Sequence, residues 1–104
     1  MRDGMVTIAV DFDGCLVTHE YPEIGQPNFR VISKLIVMRK NGAILILWTC
    51  RSGKELQEAV DACKRWGLEF DAVNENYKPS PDFNPRKVVA TYYLDDRAVN
   101  VKDF

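Results

Sequence analysis

The sequence predicts an α/β layer sandwich built on a largely parallel sheet. Three observations predict it. Residues 5–11 and 43–49 are apolar on both faces and rich in branched aliphatic side chains, as in strands covered on both sides. Segments with apolar residues three and four apart lie between the apolar runs and read as amphipathic helices. Polar clusters follow the apolar runs, and in an open parallel sheet such positions gather along one carboxyl edge, where ligands bind.

Residues 5–11 read as the first strand. Residues 12–27 read as a loop, punctuated by Asp13-Gly14, Pro22, Gly25 and Pro27. Asn28 suits the N-cap of a helix carrying Phe29, Ile32, Leu35, Ile36 and Met38, and Asn41-Gly42 supplies an end that tolerates left-handed backbone. Residues 43–49 form a second strand with no polar face. Ser52-Gly53-Lys54-Glu55 fits a capping box opening a helix that runs through Trp66 and stops at Gly67. Leu56, Val60 and Cys63 form its apolar stripe. Residues 70–73 read as a short third strand and 74–85, with three prolines, as irregular chain. Residues 86–90 read as one helical turn, and 91–95 as a fourth strand.

A single domain with one core accounts for 104 residues, and 46% hydrophobic with 28% charged side chains is ordinary for a soluble globular protein. Fourteen basic residues oppose 15 acidic ones, for a net charge of −1. That balance offers no broad footprint for nucleic acid, so no extended nucleic-acid partner is expected. No apolar run approaches bilayer length and the chain opens without a signal-peptide pattern, so no membrane partner is expected. Cys15, Cys50 and Cys63 lack metal-site spacing and point to free thiols in a reducing, cytoplasmic setting. Homo-oligomerisation is left open by the sequence.

Asp11-Phe12-Asp13-Gly14 is the most informative stretch. In strand geometry Asp11 and Asp13 share a face, a crowding that a hard cation such as Mg2+ relieves. An Asp-Gly turn alone has an ordinary structural reading, so the other clusters matter. Thr49 closes the second apolar run, within Leu47-Trp48-Thr49-Cys50-Arg51-Ser52, and Asp95-Asp96 closes the fourth. Lys87 precedes that fourth run and Lys78 lies earlier in the same connection. Carboxylates hold Mg2+, while a hydroxyl and an ammonium hold a phosphoryl group, and a carboxylate is also able to attack phosphorus. Arg51 and Arg97 adjoin these motifs, either to meet substrate or to tie the acids in place. Tyr21 and Tyr77 are candidates to stack on a substrate, and His19 reads as solvent-facing.

With these motifs in this order, the chain resembles the haloacid dehalogenase (HAD) superfamily. Asp11-Phe12-Asp13-Gly14-Cys15-Leu16-Val17 looks like its first motif, Thr49 like its second, and Asp95-Asp96 like its paired acidic motif, over residues 5–97. Cys15 departs from the threonine usual at that position. The resemblance implies a three-layer α/β/α sandwich with a small, mostly parallel Rossmann-like sheet and no cap domain, since residues 14–27 and 74–85 are too few to hold one. It implies a Mg2+-dependent phosphatase acting on a phosphorylated substrate through an aspartyl-phosphate.

In that reading Asp11 is nucleophile and Mg2+ ligand. Asp13 serves as acid and then base, with its main-chain carbonyl on the metal. Thr49 bonds a phosphoryl oxygen, and either Asp95 or Asp96 completes the metal shell, Asp96 being favoured as the direct ligand. Lys87, favoured over Lys78, binds phosphate, and Cys50 and Arg51 join Thr49 on the substrate side. The alternative is a receiver-like or catalytically inactive phosphate- or metal-binding signalling module. Motif order, with the paired acids last, argues against a receiver.

Overall fold

Four strands pair in parallel in the computed structural model, which describes residues 6–80, 82–84 and 86–94. The elements are β1 (Thr7–Val10), α1 (Phe29–Lys40), β2 (Ile44–Leu47), α2 (Gly53–Arg65), β3 (Ala72–Val73) and β4 (Tyr92–Leu94). Sheet order is β3-β2-β1-β4, so the two-sided apolar strands β1 and β2 occupy the centre. The expected α/β class and parallel sheet are therefore present. No helix among the described residues is long and apolar enough to cross a membrane.

Both helices begin and end as local chemistry dictates, with one exception. The Asn28 side chain accepts the Val31 N–H at the start of α1. Gly42 and Gly67 each take positive φ just past a helix, and each lets two amides reach back to orphan carbonyls. Gly42 N and Ala43 N bond Arg39 O and Met38 O; Gly67 N and Leu68 N bond Lys64 O and Cys63 O. The exception is Ser52. It stands at the N-cap of α2 in extended backbone but its side chain makes no cap bond, so the predicted capping box does not form.

Among the described residues both helices lie in one layer. Val31, Ile32 and Leu35 of α1 and Ala59 and Cys63 of α2 join one buried cluster with Ile8, Val10, Leu45 and Leu47, which places both helices on the same face. Two successive right-handed crossovers stepping the same way, β1 to β2 to β3, require this. The opposite face, with Ala9, Ile46 and Ala72, is covered by Val88, Tyr77 and Ala90 from the irregular β3–β4 connection. A third layer exists, but among the described residues it is not helical.

The predicted turn at 86–90 is likewise absent, because side chains take the backbone groups a helix would use. Asn76 accepts the Val89 N–H through Oδ1 and donates Nδ2 to Lys87 O, while the Tyr93 hydroxyl donates to Val88 O and accepts from Ala90 N. Strand β3 is shorter than 70–73 for a similar reason. The Asp71 carboxylate accepts the Leu45 N–H at 2.8 Å and pairs with Arg39 at 3.1 Å, so a side chain stands where strand backbone was expected.

Cys15 and Cys63 are buried and Cys50 is exposed, all three as free thiols. Burial pushes the Cys63 thiol up to about 12. The folded chain thus keeps this proton where the unfolded thiol, at an ordinary 9.0, has lost it. The resulting stability is complete below the unfolded value and is lost as pH climbs through the folded one. At about pH 8 a thiol reagent should label Cys50 alone in the native protein, with Cys15 and Cys63 reacting only on denaturation. Rapid native labelling of all three would contradict that burial.

Candidate functional site

Register sets the site. Val10 pairs with Leu47 on one side and Leu94 on the other, and Leu47 pairs with Val73, so the strands end level. Asp11, Trp48 and Asn74, which follow β1, β2 and β3, therefore share one rim at the carboxyl ends of the strands. Asp11, Trp48, Thr49, Cys50, Asn74 and Arg86 line an open cleft of about 330 Å3 there.

Backbone and side-chain bonds fix the polar groups of this cleft. Asp11 sits just past β1, half-buried, with its N–H on Leu94 O and its Oδ1 accepting the Phe12 N–H at 2.8 Å. Thr49 Oγ1 accepts the Arg51 N–H at 3.2 Å, which leaves the hydroxyl proton to donate. Asn74 takes φ of 53°, a left-handed conformation that asparagine tolerates better than most residues. Its N–H donates to Leu47 O at 2.7 Å and its Oδ1 accepts the Thr49 N–H at 2.8 Å. The Asn74 NH2 then remains as a donor. Arg86 also lines the cleft, which thus combines an acidic residue, a hydroxyl, an amide and a basic residue.

Asp13 and Arg51 depart from expectation. The two acids of the DxD do not flank a shared ion through their side chains, because Asp13 is turned to Arg51. Arg51 Nε and Nη2 donate to the two Asp13 oxygens, each at 2.8 Å. Nη2 also donates to Glu23 O at 2.7 Å, and Nη1 donates to Pro22 O at 3.1 Å and Glu55 O at 3.4 Å. All five N–H donors of the guanidinium are thus engaged. Its faces lie against the Phe12 and Tyr21 rings, each centroid 5.0 Å away. Only 1% of the Arg51 side chain is exposed, so it does not present a group to substrate. The bond to Asp13 also raises the guanidinium's hold on its proton above that of an ordinary arginine, against the opposing effect of burial. Tyr21, a candidate to stack on substrate, stacks on Arg51 instead.

Neither lysine lines the cleft. The Lys87 ammonium lies 6.0 Å from the Tyr93 ring centroid and that of Lys78 5.4 Å from Tyr77. Arg86, next to Lys87, is the basic residue that lines the cleft. Asp95, Asp96 and Arg97 lie outside the described residues. Among those residues no three His, Cys, Asp or Glu side chains gather as metal ligands. The Asp11 carboxylate and the Asp13 main-chain carbonyl are oxygens, the donor type that Mg2+ takes.

Sequence reasoning missed Asn74 and Arg86. For Asn74 the signal was available: it directly follows the third apolar run, as Asp11 follows the first. Nothing local separates Arg86 from Lys87.

No protein-family model matches the chain, and comparison with the curated proteins finds no relative. Among solved structures, the conserved protein coded by a locus of Bacteroides thetaiotaomicron superposes with a TM-score of 0.83 at 41% identity, over 90% of this chain and 78% of that one. The chain belongs to that protein's family. At this identity and TM-score the two proteins share a fold.

Proposed function

We propose that this protein is a Mg2+-dependent phosphoric monoester hydrolase of the HAD type, forming an aspartyl-phosphate on Asp11. One observation carries the reading: Asp11, Thr49, Asn74 and Arg86 converge on a single open cleft at the carboxyl rim. A carboxylate surrounded by donors suits phosphoryl transfer, which asks for a nucleophile, for positioning and for charge neutralisation. An Asp11 oxygen attacks phosphorus, the bond to the leaving oxygen breaks, and water then cleaves the acyl phosphate to restore the carboxylate. Thr49 and Asn74 donate to the non-reacting phosphoryl oxygens, and Arg86 meets the charge spread over them. Asp11, the Asp13 carbonyl and Asp95 or Asp96 would hold Mg2+, which supplies further neutralisation of the phosphoryl group when bound.

Hydrolysis of a generic aryl phosphate with Mg2+, and its loss on chelation, is the expected result. A stable phospho-adduct without turnover would favour the receiver-like reading, and silence across many phosphate esters the inactive binding module. Thr49→Val removes the hydroxyl donor while keeping the branched shape, and should lower kcat/KM by about 10²-fold. An effect below about threefold would remove Thr49 from the phosphoryl site.

A further inference from the structure

We infer that Arg51 is a positioning residue, a buried clamp that sets the Asp13 turn, the Thr49 hydroxyl and the 18–26 loop relative to one another. As a claim about catalysis it rests on the phosphatase reading above; as a claim about the loop it does not.

The guanidinium's bonds tie segments distant in sequence together. They reach three separate parts of the chain: Asp13 in the turn after β1, Pro22 and Glu23 in the β1–α1 connection, and Glu55 in the first turn of α2. A planar fork with five fixed donor directions imposes orientation on every group it meets, which an ammonium cannot do. The Arg51 main-chain N–H bonds Thr49 Oγ1, so the residue that anchors Asp13 also aims the hydroxyl of the cleft.

Apart from Ile24, which packs against the core, the loop's other ties to the rest of the chain are at its neck. Val17 bridges Pro27, Thr18 N donates to Gln26 O, and Thr18 Oγ1 accepts from Gln26 N at 2.8 Å. A side chain at Gly25 would run into the Thr18 carbonyl, so glycine lets the two sides of the neck approach. Beyond the neck, residues 19–24 are exposed except for Ile24, which is half-buried. The Arg51 bonds to Pro22 and Glu23 and its stacking with Tyr21 are what join this tip to the site. Displacing a reacting group by about 1 Å typically costs about 10²-fold in rate, so slack in this clamp should reach the chemistry.

The test is Arg51→Lys, which keeps the charge and loses the fork, with Asp13→Asn as a second variant that keeps the shape and one carbonyl acceptor. On samples shown folded by circular dichroism, Arg51→Lys should lower kcat for an aryl phosphate by about 10–100-fold and leave KM within about threefold. In both variants hydrogen exchange at the Thr18, Glu23 and Gln26 amides should accelerate relative to amides of β1 and β2. Unchanged kcat in folded Arg51→Lys, or a loss no larger than its unfolded fraction, would overturn the catalytic half. Unchanged exchange at those amides in both variants would overturn the clamp itself. If the wild-type protein turns over no phosphate ester, the phosphatase reading fails and exchange alone judges the clamp.

Discussion

Asp11→Asn lowers turnover of an aryl phosphate by about a thousandfold or more. The carboxylate oxygen is the proposed attacking atom, and an amide oxygen in its place carries neither the charge nor the nucleophilicity. The fold should survive the change. Asp11 Oδ1 accepts the Phe12 N–H and its own N–H donates to Leu94 O, and an asparagine preserves both bonds. The variant therefore separates chemistry from stability, which deletion of the side chain would not. Acid quenching of the wild-type protein during turnover should trap a phosphoryl group on the peptide containing Asp11, read by intact and peptide mass. The same quench of Asp11→Asn should trap none. Turnover within about tenfold of wild type would remove Asp11 from the nucleophile's role, whatever the rest of the cleft does.

Asp13→Ala is expected to destabilise the protein by about 3–5 kcal/mol, because it strands the Arg51 guanidinium as a buried charge without its counter-ion. For a domain whose whole stability is about 5–15 kcal/mol, that is a large share. The Asp13 side chain is 13% exposed and the Arg51 side chain 1%, so solvent does little to compensate. Asp13→Asn should cost less, since one acceptor oxygen stays for the guanidinium. Urea denaturation gives the comparison through the transition midpoint at unchanged slope. Added salt should change the pair's contribution little, since buried charges are weakly screened. A loss below about 1 kcal/mol for Asp13→Ala would mean that the three carbonyls and two rings around Arg51 suffice to hold it.

These two acids show how one motif divides its labour. Asp11 and Asp13 stand two positions apart, and strand alternation predicts that they face the same way. The strand ends at Val10, however, and the turn at Gly14, with φ of 83°, carries the chain away before the alternation applies. The repulsion that pointed to an ion between the acids is relieved for Asp13 by a guanidinium. An acid and an arginine 38 positions apart complete that pair.

What the sequence determined by itself is whatever acts over a few residues. The aliphatic runs ending at Val10 and Leu47 specified buried parallel strands, the spacing of Phe29, Ile32, Leu35 and Ile36 specified an amphipathic helix, and Gly42 and Gly67 specified where both helices stop. Because parallel strands end on one rim, the positions of Asp11 and Thr49 in a shared cleft were also legible. What only the tertiary structure decided depends on register and crossover. The placement of both helices on one face follows from successive right-handed connections stepping the same way. The irregular cover of the other face follows from the Asn76 and Tyr93 side chains occupying backbone groups in segment 86–90. The entry of Asn74 and Arg86 into the cleft, and the commitment of Arg51 to Asp13, required partners distant in sequence to arrive at matching heights. Local propensity carries no information about that meeting, because its energy exists only once the sheet has aligned the parts.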